Sequence, residues 1–229
     1  YGCLVGSEMC IRDRLKDVCL LTLQVDAQSN SSVQRRSAVV IGAGQAGLSA
    51  AYALQQQGIQ PLVLEKHRVA YAWDQQRWDS FCLVTPNWQC RLPDFPYSGD
   101  QPDGFMGKAS IVDYLQRFAQ HVNADLREGV AVSRLQPIVN GYRLDTSEGI
   151  IEAEHVIVAT GGYHIPRRHR FAERLPASVQ QLDARSYRNP EALPDGPVLV
   201  VGNGQSGSQI AEDLPVSYTH LTLPTMAIV

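Results

Sequence analysis

The chain has 229 residues, of which 44% are hydrophobic, and its formal net charge is −3. This length allows one or two domains, and the apolar content is sufficient for a core. The charge gives no electrostatic reason to expect a nucleic acid or an anionic membrane as a partner. No apolar run approaches the roughly 18 residues that span a bilayer, and no cleavage site follows the short apolar patch at 18–25. We therefore predict a cytoplasmic protein.

Both ends of the chain differ from the sequence between them. Residues 7–14 and 216–225 resemble translated sequencing-adapter read-through rather than parts of a domain. We therefore expect 1–36 to be a non-native or disordered leader and 216–229 to be an adapter-like tail. A natural, divergent tail is the alternative.

The most informative stretch is 39–48. It predicts a short strand buried on both faces, a glycine turn, and a helix that continues to about Gln57. Its glycines follow the order G-x-G-x-x-G: Gly42, Gly44 and Gly47. In that order a backbone can close on a dinucleotide pyrophosphate at the helix N-terminus. Glu65 ends the next apolar run, close to the spacing at which a carboxylate binds ribose hydroxyls. Any tight glycine turn could give the motif alone, but the whole set predicts a dinucleotide site.

A similar stretch recurs at 197–207, where a second strand, glycine turn and helix are predicted. Its glycines are Gly202, Gly204 and Gly207. Ser206 lies in this turn, where its hydroxyl can donate a hydrogen bond to a phosphate as a backbone amide does. Two such turns predict two dinucleotide sites in one chain.

The sequence between the turns predicts an α/β fold. Residues 70–98 are irregular and hold all three tryptophans; they form either a loop over the sheet or a wall around a flat ring system. A capping-box-like start at Ser110 predicts an amphipathic helix to about Asn123. Strands with period two then predict an antiparallel meander: 130–135, 142–146 and 150–154. Another buried strand, 155–158, ends in glycines. The prediction is a doubly wound Rossmann-like domain with an inserted antiparallel β-meander, followed by the start of a second Rossmann-like domain.

These residues together resemble the flavin-containing monooxygenases. The matching segments beyond the two glycine motifs are Trp73 to Trp78, Leu83 to Pro86, Ala159 to Gly161 and Ser186 to Pro190. In that family the first glycine motif holds FAD and the second holds NADPH. The resemblance implies an FAD-binding domain at 37–165 and the start of an NAD(P)-binding domain at 166–215. It also implies a C-terminally truncated fragment without the strand that distinguishes NADPH from NADH.

The resemblance assigns candidate residues to both cofactors. Those implied for FAD are Gly42, Ala43, Gly44, Gln45, Ala46, Gly47, Glu65, Lys66, Trp73, Arg77, Thr85, Thr160 and Gly161. Those implied for NADP are Gly202, Gly204, Gln205, Ser206 and Gly207. Asn87 is the candidate catalytic residue, placed over the flavin.

The sequence departs from the family pattern at two places. The signature F-x-G-x-x-x-H between the domains is missing, because Ala177, Val179 and Asp183 occupy its three defining positions. The family's flavin-side asparagine directly follows a threonine, whereas here Pro86 stands there and Asn87 comes one residue later.

The resemblance implies a monooxygenase reaction. NADPH would reduce the flavin at N5, and O2 would add to give a C4a-hydroperoxide that oxygenates a small organic substrate at nitrogen, sulfur or a carbonyl. The alternatives are a flavin-dependent dehydrogenase or oxidase without oxygenation, and an inactive flavin-binding fragment. A disulfide reductase would need a redox cysteine pair, but Cys82 and Cys90 are separated by seven residues of a proline-broken loop and form no C-x-x-C or metal-ligand pattern. No metal site is predicted.

Overall fold

The structure is a computed structural model that describes residues 33–162, 165, 166, 168 and 170–214. Its strands are β1 (Gln34–Ile41), β2 (Leu62–Glu65), β3 (Arg91–Leu92), β4 (Phe95–Pro96), β5 (Asp125–Glu128), β6 (Val132–Ile138), β7 (Gly141–Thr146) and β8 (Gly149–Val158). Its helices are α1 (Gln45–Gln56), α2 (Tyr71–Gln75), α3 (Lys108–Val122) and α4 (Gln205–Asp213). Short 3-10 turns occur at Asn87–Gln89, Arg170–Arg174 and Pro190–Ala192. The predicted tail and the predicted leader up to residue 32 lie outside the described residues.

Six strands form one sheet in the order β5-β2-β1-β8-β7-β6. The first four are parallel, and the last two run antiparallel to their neighbours. β8 joins the two parts, because it pairs with β1 on one side and with β7 on the other. The carboxyl ends of β1, β2 and β8 therefore meet at one edge, where doubly wound sheets bind ligands. The predicted α/β fold with an antiparallel meander is confirmed.

The central strands are buried on both faces, as their apolar runs predict. Val40 of β1 faces a cluster that includes Leu48 of α1 and Phe118 of α3. Its neighbour Val39 points to the opposite face, where it joins a second cluster with Leu144 of the meander. Full burial of one such Val or Leu side chain contributes about 1.5–3 kcal/mol. These two clusters fix α1 and the meander on opposite faces of the parallel strands.

The predicted leader extends too far into the chain. β1 begins at Gln34, and its first three residues pair with Ile151, Glu152 and Ala153 of β8. The prediction that 34–36 lie outside the domain is therefore wrong. These residues are polar because they lie at the start of the strand and remain partly accessible, so they leave no apolar pattern in the sequence.

The two strands predicted at 150–154 and 155–158 are one strand, β8. The local pattern changes along it because its first half lies between β7 and β1, whereas its second half pairs with β1 alone. Val158 at its end is 60% exposed, so this part is not the buried strand that was predicted. The edge strand β5 was not predicted, since its sequence Asp-Leu-Arg-Glu is mostly polar.

Two further boundaries differ from the predictions. α3 begins at Lys108 after Gly107, without a side-chain cap, so Ser110 lies inside the first turn and is not the N-cap. The stretch 197–201, which was predicted to be a strand, forms no strand and pairs with none in the described part of the chain. Leu199 is consequently 73% exposed. None of the helices in the described ranges is long and apolar enough to span a membrane.

The irregular stretch 70–98 is held to the domain by a buried tyrosine of α3. The Tyr114 hydroxyl lies 2.5 Å from the carbonyl oxygen of Phe95 and 3.1 Å from that of Cys90, and it accepts a hydrogen bond from Leu92 N at 3.3 Å. Burial raises the pKa of Tyr114, so the hydroxyl stays protonated and able to donate. This contact fastens the β3–β4 hairpin to α3.

We expect Tyr114→Phe to lower the free energy of unfolding by about 1–3 kcal/mol, because it leaves buried backbone groups without their partner. Denaturant unfolding measures the change. Tyr142→Phe is the matched control, since Tyr142 is 39% exposed, and it should change stability by less than about 0.5 kcal/mol. Equal effects of the two substitutions would contradict the role of the buried hydroxyl.

Candidate functional site

Two glycines of the first turn are required by the fold itself. Gly42 has φ +104°, and a methyl group there would lie 2.5 Å from the carbonyl oxygen of Ala159 at the end of β8. A methyl group on Gly47 would overlap the carbonyl oxygen of Gly42. Side chains at these positions would therefore push α1 and β8 away from the turn.

Gly44 differs from the other two glycines. It is the N-cap of α1 with φ −80° and ψ −176°, a conformation that any residue adopts. A methyl group there would have no atom within 4 Å. The first turn of α1 carries no acidic residue and no side-chain cap. The fold thus leaves an open space in front of a helix N-terminus whose amides and dipole favour an anion.

Glu65 lies beside this space. One carboxylate oxygen accepts a hydrogen bond from Ala43 N at 2.8 Å, and the other accepts one from His67 N at 2.9 Å. The backbone also fixes the turn to β2, because Gly42 N donates to Leu64 O at 2.7 Å. A carboxylate has about four lone-pair sites, so Glu65 keeps acceptor capacity for a ligand. The exposed Lys66 follows it.

The end of β8 completes this edge of the sheet. Ala159 N donates to Ile41 O at 2.8 Å, which continues the pairing with β1 to the turn. Thr160 comes next, and its Cα would lie 3.4 Å from a methyl group on Gly42. Gly161 follows with φ +80°. The structure therefore brings together Gly42, Glu65 and Thr160, which the sequence separates widely.

The irregular stretch 70–98, which holds the tryptophans, contains a group of side chains in contact with one another. The guanidinium carbon of Arg77 lies 5.1 Å from the ring centre of Trp73 and 5.6 Å from that of Phe81, as in cation–π contacts. Sequence reasoning missed Phe81, whose only signal is an aromatic residue near the tryptophans. Trp78 is fully buried against Phe81 and forms part of the core of this stretch.

Asn87 is buried, with 4% of its surface exposed. Its side-chain amide donates to Gln101 O at 2.9 Å, and its backbone N donates to Gly104 O at 2.9 Å. Its side-chain oxygen is also buried and has no hydrogen-bond partner among the described residues, which is unusual because buried amide oxygens are nearly always satisfied. Thr85, two residues earlier, is half-buried. The catalytic role of Asn87 stays a prediction.

The second glycine turn repeats the geometry of the first. Gly202 has φ +119°, and Gly204 is the N-cap of α4 with φ −74° and ψ 176°. A methyl group on Gly207 would overlap the carbonyl oxygen of Gly202, whereas one on Gly204 would meet nothing within 4 Å. The first turn of α4 has no acidic residue and no side-chain cap, and it presents Gln205 and Ser206 to solvent.

Asp183 stands where the family signature has its histidine, and here it stabilises a turn. Its carboxylate accepts a hydrogen bond from Arg185 N at 2.9 Å, and its carbonyl accepts those of Ser186 N and Tyr187 N at 2.9 and 3.0 Å. Arg168 lies 3.9 Å from the same carboxylate. Ala177 and Val179 lie in an exposed turn before it.

The two cysteines of the described region are free thiols. The Cys90 Sγ faces the carbonyl oxygen of Pro86, and burial raises the pKa of its thiol. A raised pKa makes a thiol a poorer nucleophile at neutral pH. Cys82 and Cys90 form no disulfide with each other in this structure.

Comparison with known proteins gives the family. The family described as pyridine nucleotide-disulphide oxidoreductase matches residues 39–223. An uncharacterized CzcO-like oxidoreductase from Geobacillus kaustophilus is 40% identical over 177 residues, which cover 77% of this chain and 50% of that protein. The probable indole-3-pyruvate monooxygenase YUCCA8 of Arabidopsis thaliana is 28% identical and covers 91% of this chain and 51% of its own length.

A solved structure agrees with these relatives. The flavin-containing monooxygenase from Stenotrophomonas maltophilia superimposes with a TM-score of 0.72 at 26% identity, over 80% of this chain and 56% of that one. The chain spans about half the length of the curated relatives it matches. On the family match, the chain belongs to the pyridine nucleotide-disulphide oxidoreductase family, and it is similar to flavin monooxygenases in sequence and in structure.

Proposed function

We propose that this chain is the cofactor-binding part of an FAD-dependent, NAD(P)H-using monooxygenase, with FAD at the first glycine turn and the nicotinamide dinucleotide at the second. The observation that carries the proposal is the open space at Gly44 and at Gly204. At both positions glycine has no folding role, so the room left by the absent side chain fits a ligand that closes on the backbone.

The residues of the first turn fit FAD. The backbone amides at the start of α1, from Gln45 and Ala46, would bind the pyrophosphate. Glu65 would accept hydrogen bonds from the adenosine ribose, because its carboxylate is already fixed beside the turn by Ala43 N. Thr160 and Gly161 would form the border of the FAD site at the same edge of the sheet. The positive side chain of Lys66 is available to the anionic dinucleotide.

The aromatic stretch fits a flat ring system. Trp73 and Arg77 would form one wall, with Thr85 and Asn87 as polar groups at its margin. Arg77 would place positive charge near the ring, which favours its electron-rich reduced form. Burial of this wall against Phe81 would hold it rigid and exclude water.

The second turn fits a nicotinamide dinucleotide in the same manner. The amides that follow Gly204 would bind its pyrophosphate, and the Ser206 hydroxyl would donate a further hydrogen bond. By analogy with the family the coenzyme is NADPH, with NADH as the alternative. When bound, the flavin accepts a hydride and activates O2 toward a small organic substrate with a nucleophilic nitrogen or sulfur, or with a carbonyl.

A second candidate is a flavin-dependent dehydrogenase or oxidase that does not oxygenate a substrate. Asp183 favours it, because this residue caps a turn where the family has a histidine. Both candidates use the same cofactors and differ only in the fate of O2.

The test starts from the purified chain mixed with FAD. We expect a yellow protein with one flavin per chain, which NADPH reduces under anaerobic conditions. Air and isotopically labelled O2 are then added with methyl phenyl sulfide, trimethylamine or cyclohexanone. Label in a product supports the monooxygenase, whereas hydrogen peroxide without labelled product supports the oxidase. A colourless, folded protein would refute both.

Gly44→Ala and Gly47→Ala should separate binding from folding. We expect Gly44→Ala to keep the thermal midpoint of the apoprotein while losing most of its bound flavin, because the added methyl group occupies ligand space only. Gly47→Ala should lower the thermal midpoint, because its methyl group overlaps the carbonyl of Gly42. Wild-type flavin content in Gly44→Ala would contradict the assignment.

Glu65→Gln should weaken FAD binding without unfolding the chain. A hydrogen bond to a charged group contributes about 1.5–3 kcal/mol, so the dissociation constant should rise roughly tenfold to a hundredfold. Flavin fluorescence titration measures it. Glu154→Gln is the matched control, because Glu154 is an exposed residue of the meander end of β8. Equal affinities of the two variants would rule out a ribose contact.

Gly204→Ala should impair use of NADPH and leave flavin binding intact, whereas Gly44→Ala should impair flavin binding. We expect normal flavin content, because the first turn is untouched, together with slow reduction of the flavin by NADPH. Reduction by dithionite should stay at the wild-type rate. Loss of flavin from Gly204→Ala, or normal reduction by NADPH, would contradict the assignment of the second turn.

A further inference from the structure

We propose that Asp79 is a positioning residue that sets the distance between the two dinucleotide sites. Its effect on hydride transfer rests on the proposed function, whereas its effect on structure does not. Asp79 is the centre of a group that we call the Asp79 clasp: Asp79, Lys108, Arg188 and Asn189. The clasp joins the stretch that follows α2 to the segment that leads to the second glycine turn.

The carboxylate of Asp79 receives hydrogen bonds from two different elements. Lys108, the first residue of α3, donates to one oxygen at 2.6 Å, and Asn189 donates to the other at 2.7 Å. The backbone N of Asp79 adds a third contact, because it donates to Arg188 O at 2.8 Å. The hydrogen bond from Lys108, followed by that from Asn189, lowers the pKa of Asp79. The carboxylate therefore stays ionised across the neutral range.

Arg188 fastens the same segment to α2. Its guanidinium donates to the carbonyl oxygen of Gln75, the last residue of α2, and to that of Arg185. A cation is favourable at a helix C-terminus, where backbone carbonyls lack partners. Asn189 is also held in place, since its side-chain oxygen accepts a hydrogen bond from Ala192 N at 3.0 Å. The clasp thus binds 188 and 189 in one orientation against 75–79.

The other side of this segment is attached to the second glycine unit, the turn and helix from Gly202 to Asp213. Tyr187 is buried, and its hydroxyl donates to Asp213 of α4 at 2.6 Å. Gln209 of α4 donates independently to the carbonyl oxygen of Cys82 at 3.0 Å. Helix α4 is therefore linked to the stretch 75–82 through the clasp and through Gln209.

The stretch 75–82 also carries the wall proposed for the flavin, because Arg77 lies within it and contacts Trp73 and Phe81. The stretch 75–82 is thus attached to the flavin wall through Arg77 and Phe81 and to the helix that begins at the second turn through Cys82. Hydride transfer needs reacting atoms about 3–3.5 Å apart, and a displacement of about 1 Å can cost roughly a hundredfold in rate. The clasp is placed to control that distance.

The clasp should affect position more than stability. The Asp79 side chain is 52% exposed and that of Lys108 is 20% exposed. Exposed ion pairs contribute little to folding, so removing this carboxylate should leave the chain folded. The loss of its bonds to Asn189 and Lys108 would still free the segment that holds α4.

The test compares Asp79→Ala with Asp113→Ala in the FAD-loaded chain. Asp113 forms an exposed ion pair with Arg117 within α3, away from the clasp, and is the matched control. We expect both variants to keep flavin content and thermal midpoint. Reduction of the flavin by NADPH should slow about tenfold to a hundredfold in Asp79→Ala only, whereas reduction by dithionite should not change.

Hydrogen exchange of 205–213 provides a second readout that needs no coenzyme. It should be faster in Asp79→Ala than in Asp113→Ala. Asn189→Asp should act in the same direction, since it keeps an acceptor for Ala192 N but places a like charge against Asp79. Wild-type exchange in both clasp variants would overturn the proposal. Failure of NADPH to reduce the wild-type flavin would instead refute the proposed function, and the exchange result would still decide whether the clasp holds α4.

Discussion

The structure depends on how closely pieces of backbone approach one another at the first glycine turn. Gly42 lies against the carbonyl of Ala159, and Gly47 lies against the carbonyl of Gly42. These two contacts let α1 start directly beside the ends of β1 and β8. The Glu65 carboxylate and the backbone of Thr160 consequently lie close to the helix N-terminus. Gly44 makes no such contact, since a methyl group there would meet no atom within 4 Å, and the proposed dinucleotide site rests on this open space.

Much of this arrangement could be predicted from the sequence, because burial on both faces forces apolar runs and tight turns force glycines. Those constraints identify β1, α1, β2 and the G-x-G-x-x-G turn. Burial and tight turns give no such signal where an element depends on contacts with neighbouring elements. The polar edge strand β5 has no apolar pattern, and β8 changes its pattern when its neighbours change. The apolar run at 197–201 has no strand partner among the described residues, since strand propensity does not supply a neighbouring strand.

The candidate site likewise has a part that the sequence predicts and a part that it does not. The turn and Glu65 could be predicted because a single short unit of strand, turn, helix and strand contains them. Phe81 could not, because an aromatic residue in an irregular stretch gives no periodic pattern. The Asp79 clasp could not, because it joins side chains that are far apart in the chain; Asn189 and Asp79 are separated by 110 residues. Asp183 shows a further limit. A sequence comparison reveals that the family histidine is missing, but only the structure shows that the aspartate caps a turn.

The two glycine turns have nearly the same backbone, and among the residues that the structure describes a carboxylate, that of Glu65, is fixed beside the first turn by Ala43 N. The assignment of FAD to the first turn comes from the resemblance to the flavin-containing monooxygenases, and this carboxylate supports it. The most direct measurement is a crystal structure of the chain grown with FAD. The account predicts the pyrophosphate at the N-terminus of α1, within hydrogen-bond distance of the amides that follow Gly44, with the ribose hydroxyls on Glu65. FAD bound at the second turn, or elsewhere on the surface, would contradict it.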